Sequence, residues 1–365
     1  GTETDSIKFI PYGEVDTINH SWLGLLIDYN HYETDNDQRA IFDYCEIKDA
    51  HQFYIIVDFW HWEENPDSVL VRINHSLITE NSSSGIDINV NAVESENTPN
   101  YSHVMVLNST IENNNNQGIR FYDSNGKMPV KIKNNIIHHN GGDYWNFHSE
   151  SAGIYIDSEH NRNNNLIIDG NDIRYNQARM YSQDQGQGNG RGIFVMHTPA
   201  RITNNIISEN GGGDSDFSEG IRIIGHREWA PPVVVNYNQI YGHGTYEAST
   251  EGWGDGWMEI DMRYNNWGDD VTAEMESGTN PQNISKLYDK YDVDDWASIN
   301  YSCYEGNTGS CGNGGDIYFA NENGSHVGDT YRLWDIENDT DVDSIYIHMR
   351  DIDLENAGTV SVTLT

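Results

Sequence analysis

Positively charged residues are scarce in this chain. Its 365 residues include 20 Lys and Arg against 58 Asp and Glu, which gives a formal net charge of −38. A surface of this sign repels phosphate backbones and anionic lipids, so we expect no nucleic-acid partner and no binding to anionic membranes. The chain also has no apolar stretch of transmembrane length, so no membrane span is predicted. An acidic surface suits high salt or the binding of divalent cations.

The chain also lacks the local motifs of common enzymes and any sustained helical periodicity. No P-loop, dinucleotide fingerprint, zinc motif or catalytic triad is present. Cysteine is rare, with three residues. Cys303 and Cys311 lie in a loop rich in Gly, Asn and Ser, and we expect a disulfide formed in an oxidising compartment. Cys45 lies in a predicted strand, where we expect a small core residue.

What the chain does contain is an internal repeat. The pattern Ile-x-x-Asn occurs five times, a sixth copy replaces Asn by His, and a Gly-Ile pair follows each of the first five. Successive isoleucines are 26 to 36 residues apart, a spacing typical of stacked structural units. The isoleucines are Ile78, Ile111, Ile137, Ile173, Ile207 and Ile240, the asparagines Asn81, Asn114, Asn140, Asn176 and Asn210, and the glycines Gly85, Gly118, Gly153, Gly192 and Gly220.

Apolar residues within each repeat alternate with period two, as in Gly153-Ile-Tyr-Ile156, which indicates strands. Short strands with Gly and Asn at the corners, and no room for crossover helices, predict an all-β protein built as a right-handed parallel β-helix of about eight coils. The isoleucines would stack inside the coil. The asparagines would stack at one corner, where we expect them to adopt the left-handed conformation and to bond the next rung.

The chain resembles the secreted right-handed parallel β-helix repeat proteins of marine and halophilic bacteria. The resemblance lies in residues 1–9, 22–27, 42–47, 261–268 and 283–289, and it spans roughly residues 1–300. It implies the fold and a secreted, extracellular or cell-surface location. It does not imply one activity, because this group includes polysaccharide lyases, glycosidases and adhesins.

The sequence pattern divides the chain into three predicted structural segments. Residues 1–270 form the predicted β-helix, residues 271–300 form a capping segment with a helix from about Asn283 to Tyr291, and residues 301–365 form a small antiparallel β module. The module strands are predicted at 316–319, 331–334, 344–348 and 359–365. The amino end enters a strand at Ile7 without a capping helix, so we expect a preceding segment or another subunit to cover it.

One outward face of the β-helix is a candidate ligand-binding surface. In each Gly-Ile-x-Ile strand the residue between the isoleucines points to solvent, and nearby loops add aromatic and histidine side chains. Aromatic rings cover the C–H faces of sugars while polar groups bind the hydroxyls, so this face is a candidate glycan groove. The alternative is an ordinary solvated face. The predicted ligand-binding residues are Asp87, Arg120, Tyr155, Phe194, Arg222, Trp145, His226, Trp229 and Trp253.

Catalysis on this face is an open question for the sequence. In a lyase, Arg120 or Arg222 would neutralise a uronate carboxylate, and the base that abstracts the proton would be His197, His226 or Tyr155. In a hydrolase, Asp157 would work with Asp87, a carboxylate two rungs away and therefore about 10 Å distant.

Calcium is the expected cofactor. Asp335, Glu337, Asp339, Asp341 and Asp343 place five carboxylates on alternate residues, a density of oxygen ligands that suits Ca²⁺. The segment lacks the Gly and the final Glu of an EF-hand, so an acidic turn is the alternative.

These observations favour a secreted structural or adhesive protein that self-associates through its ends or its carboxy-terminal module into a fibre or surface array. The alternatives are a polysaccharide-degrading enzyme and a non-catalytic glycan-binding protein, both with an extracellular polysaccharide as partner. Neither the glycan nor the assembly geometry can be read from the sequence.

Overall fold

The structure is a computed structural model. It describes residues 2, 5–10, 22–30, 38–58, 69–91, 103–123, 129–141, 151–157, 166–177, 190–211, 218–225, 233–251, 259–278, 280–304, 316–320, 326–328 and 346–350. The chain divides into two compact units, Gly1–Gly306 and Asn307–Thr365.

The first unit is a parallel β-helix, as predicted. Three parallel sheets contain eight, nine and nine strands, and up to β24 successive strands of the chain join the three sheets in turn, so three strands complete one rung. Sheet 1 contains β1 (Ile7–Phe9), β4 (Cys45–Lys48), β7 (Leu77–Thr79), β10 (Thr110–Glu112), β13 (Ile136–His138), β16 (Asp172–Arg174), β19 (Ile206–Ser208) and β22 (Gln239–Tyr241).

The other two sheets follow the same order along the stack. Sheet 2 contains β2 (Trp22–Asn30), β5 (Ala50–Asp58), β8 (Ile86–Asn91), β11 (Ile119–Asp123), β14 (Ser151–Asp157), β17 (Gly190–Met196), β20 (Glu219–Ile224), β23 (Tyr246–Glu251) and β25 (Leu287–Tyr288). Sheet 3 contains β3 (Gln38–Asp43), β6 (Val69–Asn74), β9 (His103–Leu107), β12 (Val130–Lys133), β15 (Leu166–Asp169), β18 (Ala200–Thr203), β21 (Val233–Asn236), β24 (Glu259–Asp261) and β26 (Ser298–Asn300).

The repeat isoleucines form one continuous column inside the coil. Each is the central residue of its sheet 1 strand from β7 to β22, each pairs with its equivalent in the neighbouring rung, and all are fully buried. Full burial of one isoleucine contributes about 1.5–3 kcal/mol relative to exposure, so the column is a main source of stability.

The repeat asparagines form a hydrogen-bonded ladder at the next corner. The amide of Asn114 donates to Oδ1 of Asn140 (2.8 Å), Asn140 donates in the same way to Asn176 (3.0 Å), and Asn176 to Asn210 (2.9 Å). Each Oδ1 also accepts the backbone N–H of the asparagine one rung before it. The ladder therefore satisfies buried polar groups that the corner would otherwise leave unpaired.

The expectation that these asparagines adopt the left-handed conformation was wrong. The exposed residue immediately before each one does so, with φ between 53° and 57°. The chain reverses one residue earlier, and the asparagine is left to direct its amide along the stack. The left-handed residues are Glu80, Asn113, His139, Tyr175 and Glu209.

A second asparagine ladder, which the sequence analysis missed, lies at the corner between sheets 3 and 1. Asn135, Asn171, Asn205, Asn238 and Asn265 are buried, and each amide but the last donates to the next Oδ1 at 2.9–3.1 Å. The sequence signal was present, since the first four of these asparagines lie two residues before a repeat isoleucine.

The repeat glycines are explained by close packing between rungs. A Cβ at Gly118 would lie 2.7 Å from the carbonyl oxygen of Gly153, 2.8 Å from Cγ2 of Ile137 and 2.9 Å from Nδ2 of Asn140. Gly85, Gly153 and Gly192 meet the equivalent three atoms. The Ile, Asn and Gly of the repeat therefore recur together because they are in contact across rungs.

His243 takes the place of the last asparagine in the first ladder. The backbone N–H of Asn210 donates to Nδ1 of His243 (3.1 Å), so the imidazole proton is on Nε2, which lies 3.1 Å from the carbonyl oxygen of Ile207. Burial lowers the pKa of His243 to about 4. Protonation at Nδ1 would remove the acceptor of the Asn210 N–H.

Glu247 lies beside this histidine and is also buried. Its Oε2 is 3.6 Å from Nε2 of His243, and its Oε1 accepts the backbone N–H groups of Gly242 (3.2 Å) and His243 (3.4 Å). Burial raises the pKa of Glu247 to about 7, while the positive charge of Lys286 acts in the opposite direction. The two groups therefore titrate far from their ordinary values and in opposite senses.

The far end of the coil is closed by a helix in a different place from the predicted one. Helix α1 (Gly268–Glu276) packs against β22 and buries Val271 and Met275. The predicted helix at 283–291 was wrong, since these residues form turns and β25, which adds to sheet 2. Residues buried in the core at this end include Trp267, Ile284, Leu287, Ile299, Tyr301 and Tyr304.

The first rung lies at the other end of the coil. Its strands β1, β2 and β3 are the outermost strands of their sheets. Apart from Ala40, the residues of this rung that pack against the core are only partly buried, whereas the core residues of the later rungs are buried. The partly buried residues are Phe9, Leu25, Ile27 and Phe42, and the exposed large apolar residues of this rung are Ile7, Ile10, Leu26 and Ile41.

The second unit contains a three-stranded antiparallel sheet in the order β28, β27, β29. Its strands are β27 (Asp316–Ala320), β28 (His326–Gly328) and β29 (Tyr346–Arg350). The strands predicted at 316–319 and 344–348 overlap β27 and β29. Those predicted at 331–334 and 359–365 lie outside the described residues.

Candidate functional site on the outer face of sheet 2

The candidate ligand-binding residues on the strands of sheet 2 do form one outward column. Asp87, Arg120, Tyr155, Phe194 and Arg222 lie in consecutive strands and pair directly with one another. The register extends the column to Tyr54 at one end and to Ser249 and Tyr288 at the other. The register of the column is as predicted, and the ligand-binding role of its members stays a prediction that depends on their local contacts.

At the first rungs of the column, Asp87 and Arg120 form an ion pair. Nη1 of Arg120 lies 3.0 Å and 3.2 Å from the two carboxylate oxygens of Asp87, and Nε2 of Gln52 donates to the same carboxylate at 3.1 Å. Burial raises the pKa of Asp87, and the charge of Arg120 opposes this shift. Because Arg120 is engaged with an internal carboxylate, an anionic ligand would have to compete with Asp87 for it.

Tyr155 and Phe194 occupy the middle of the column. Their rings stack with centroids 5.1 Å apart, and the guanidinium of Arg191 lies 5.0 Å from the Phe194 ring centroid. Phe194 is 0% exposed. Its ring is therefore not available to a sugar in this structure, whereas Tyr155 is half-buried and keeps part of its ring accessible.

The later rungs carry a buried network of charges centred on Glu219. Nε of Arg191 donates to Oε2 of Glu219 at 2.6 Å, and each side chain is 2% exposed. Oγ of Ser249 donates to Oε1 of Glu219 at 2.7 Å. Arg222 lies 3.4 Å from Glu219 and donates through Nη2 to Glu251 at 2.6 Å. Two arginines and two glutamates thus neutralise one another.

The sequence analysis missed three members of this network, namely Arg191, Glu219 and Glu251. The available signal was their position, since Arg191 and Glu219 each precede a repeat glycine and align with each other in the register. With Glu219 and Glu251 as partners, Arg222 is neutralised within the protein. This arrangement weakens the expectation that Arg222 neutralises a uronate.

Among the candidate catalytic residues that the structure describes, Asp157 and His197 are the one carboxylate and imidazole that lie close together. Oδ1 of Asp157 lies 3.8 Å from Nδ1 of His197, which is too long for a hydrogen bond, and both side chains are partly exposed. His197 adopts φ of 56°, a left-handed conformation that is uncommon for a residue other than glycine. Asp87, the other carboxylate proposed for a hydrolase, lies two rungs away, because β11 separates β8 from β14.

The remaining predicted site residues lie outside the described residues. These are Trp145, His226, Trp229 and Trp253 of the face, the calcium candidates Asp335, Glu337, Asp339, Asp341 and Asp343, and Cys311. Within the described part of the chain, no group of three or more His, Cys, Asp or Glu side chains is arranged to hold a metal ion. The calcium site therefore stays a prediction.

Two further findings concern the cysteines and membrane association. Cys303 is disulfide-bonded, whereas Cys45 is free and buried, and burial raises the pKa of its thiol. The pairing of Cys303 with Cys311 stays a prediction. Among the residues that the structure describes, no helix has the length and apolar character needed to cross a membrane.

The fold places the chain among parallel β-helix proteins. Comparison with known proteins assigns it no further, since no protein-family model, no curated protein and no solved structure matches it.

Proposed function

We propose that this chain is a secreted structural or adhesive protein whose β-helix is a rigid scaffold that self-associates through its ends or its carboxy-terminal module. One observation carries the proposal: four core residues of the first rung, Phe9, Leu25, Ile27 and Phe42, are only partly buried, so this end of the coil needs a further cover, either preceding coils or another subunit. Outermost strands with free backbone groups and exposed apolar side chains favour pairing with further strands.

The charges on the outer face of sheet 2 support the same proposal. The ion pairs of Arg120 with Asp87 and of Arg222 with Glu251 join neighbouring rungs. Such pairs hold the stack together and leave few unpaired charges for a ligand. The disulfide at Cys303 supports an oxidising, extracellular location.

The test is the mass of the purified protein as a function of concentration. We expect sedimentation velocity and light scattering to show a species larger than the monomer, and added salt to favour it because salt screens the net charge of −38. Repeating the measurement with Ca²⁺ and then with a chelator tests whether the cation contributes. A monomer at every concentration and salt level would refute the proposal.

A second function, the binding or cleavage of an extracellular polysaccharide, is favoured by the pair of Asp157 and His197 beside the accessible ring of Tyr155. A panel of polysaccharides, assayed for binding and for new reducing ends or unsaturated products, tests it. Loss of turnover in His197→Gln with unchanged binding would support catalysis. No binding to any member of the panel would exclude the glycan functions that the panel represents.

A further inference from the structure

Two histidines on the outer face of sheet 1 meet through their ring nitrogens. His138 is the last residue of β13, and His139 is the corner residue that follows it. Consecutive strand residues point to opposite faces, but His139 adopts φ of 55°, and this left-handed turn keeps both rings outside the coil. Nδ1 of His138 lies 2.7 Å from Nδ1 of His139, and the two ring planes are 80° apart. One N–H···N hydrogen bond therefore joins the rings.

Glu112 on the neighbouring strand determines which nitrogen of His138 carries the proton. Its Oε2 lies 2.9 Å from Nε2 of His138, and the two residues are paired in the register of β10 and β13. Burial lowers the pKa of His138, while the charge of Glu112 acts in the opposite direction. In a neutral ring that donates from Nε2 to Glu112, Nδ1 holds the lone pair. A carboxylate in this position is the usual partner of a metal-binding histidine, because it orients the ring and makes the ligand nitrogen more basic.

The surroundings of the pair favour a cation and support the second ring. His139 stacks on Tyr175 of the next rung, with ring centroids 5.2 Å apart. The strands β10, β13, β16 and β19, each taken with the corner residue that follows it, carry three carboxylates and one guanidinium, which gives a net charge of −2. These four charged residues are Glu112, Asp172, Arg174 and Glu209. The guanidinium of Arg174 forms an ion pair with Asp172, so its positive charge is already neutralised.

We propose that His138 and His139 form a surface binding site for a transition-metal dication, with Cu²⁺ bound more tightly than Zn²⁺. Imidazole nitrogen suits both metals, and the general order of affinities places Cu²⁺ first. Metal–nitrogen bonds of about 2.0–2.1 Å place two adjacent ligands about 2.9–3.3 Å apart, so the two nitrogens need to separate by only a few tenths of an ångström. This inference does not depend on the proposed function.

The metal takes the place of the proton between the two rings. His138 already has its lone pair on Nδ1, and His139 carries its own ring proton on Nε2 instead, which its exposed position allows. Water fills the remaining coordination positions, since no group of three His, Cys, Asp or Glu side chains in the described part of the chain is arranged around one ion. Glu112 lies behind His138 and acts as a positioning residue.

The test is a titration of the purified chain with Cu²⁺ and, separately, with Zn²⁺, each in excess Ca²⁺ so that sites made of oxygen ligands are filled. Calorimetry gives the stoichiometry and the affinity, and electron paramagnetic resonance of the Cu²⁺ form shows the nitrogen ligands. We expect His138→Ala and His139→Ala each to weaken one equivalent of bound metal by about 100-fold or more, because removal of an outer partner alone costs about 10–100-fold.

His75 provides a matched control. It is exposed, adopts φ of 49° and stacks on Tyr44 with ring centroids 5.0 Å apart, as His139 stacks on Tyr175, but the residue before it is Asn74. His75→Ala should therefore leave the affinity unchanged. Glu112→Gln keeps both ligand histidines and should lower the affinity by about tenfold, because the carboxylate behind His138 is lost.

The outcomes separate a built site from ordinary surface histidines. Loss of the same equivalent of metal in His138→Ala and in His139→Ala, with His75→Ala equal to wild type, supports the proposal. The proposal is overturned if either histidine of the pair can be removed without effect, if His75→Ala causes an equal loss, or if Zn²⁺ binds more tightly than Cu²⁺.

Discussion

Truncation of one ladder asparagine should destabilise the β-helix far more than truncation of its neighbour. In Asn114→Ala three side-chain hydrogen bonds are lost: the N–H of Asn81 to Oδ1 (3.1 Å), Nδ2 to the carbonyl of Ile78 (3.3 Å) and Nδ2 to Oδ1 of Asn140 (2.8 Å). Asn115 is exposed, and its side chain bonds no described residue. Comparison of the two variants therefore distinguishes the loss of a ladder asparagine from the loss of an asparagine outside the ladder.

The size of the effect follows from the number of bonds. Each buried hydrogen bond contributes about 1 kcal/mol net, and a buried donor left unpaired costs about 1–3 kcal/mol more. Because the N–H of Asn81 loses its acceptor, we expect Asn114→Ala to lower the free energy of unfolding by about 4–6 kcal/mol, and Asn115→Ala by less than about 0.5 kcal/mol.

The measurement is urea unfolding followed by circular dichroism. The transition midpoints of the two variants are compared provided that the m-value, the slope of the unfolding free energy against urea concentration, is unchanged. The result that would refute the ladder argument is a loss below about 1 kcal/mol for Asn114→Ala, or equal losses for the two variants. A changed slope for Asn114→Ala would indicate instead that part of the stack unfolds separately, which the nearest-neighbour character of repeat proteins allows.

Three further substitutions test the packing and the buried charges. Gly118→Ala places a methyl group against three atoms of the next rung and should cost about 1–3 kcal/mol in urea unfolding; an unchanged midpoint would contradict the close packing. His243→Asn removes a group whose lowered pKa adds stability above its ordinary value of 6.5 that is lost as pH falls through about 4. Glu247, with its raised pKa, adds stability below its ordinary value of 4.5 that is lost as pH rises through about 7. In the wild type the two pH dependences offset each other between pH 4.5 and 6.5. As pH rises across that range, the free energy of unfolding of His243→Asn should therefore fall by about 3 kcal/mol more than that of the wild type. Parallel pH profiles of the two proteins would show that the pair does not titrate as described. Arg191→Met leaves Glu219 buried without its closest cation and should cost about 3–5 kcal/mol, with partial recovery in the double variant with Glu219→Gln; no recovery would mean that the loss is one of packing alone.

The repeat allowed most of the first unit to be predicted from sequence, because the same three residue types meet in four successive rungs. Ile137, Asn140 and Gly118 touch one another, so their types and spacing are restricted together. The closing helix was misplaced because Ile284 and Leu287 have a spacing that fits a helix, although both pack as the last rung. Its actual signals were Asp269 and Asp270 in the first turn and buried residues four apart.

The candidate site was predicted less completely than the fold. The outward column was correct in register, but its ion pairs join residues about 30 positions apart, and the sequence does not show which charges are already paired. Phe194 shows the same limit, because alternation placed it outward and did not indicate that it would be fully buried. Periodicity determines the direction of a side chain, whereas accessibility depends on what lies over it.

The stacking of rungs also makes stability differ along the coil. In a repeat protein each rung is stabilised mainly by its neighbours. The first rung contains the partly buried core residues of the described stack, Phe9, Leu25, Ile27 and Phe42, so it should be the first to open. Hydrogen exchange in β2 should therefore be faster than in β14. Equal exchange rates in the two strands would show that the incomplete burial of the first rung does not weaken it.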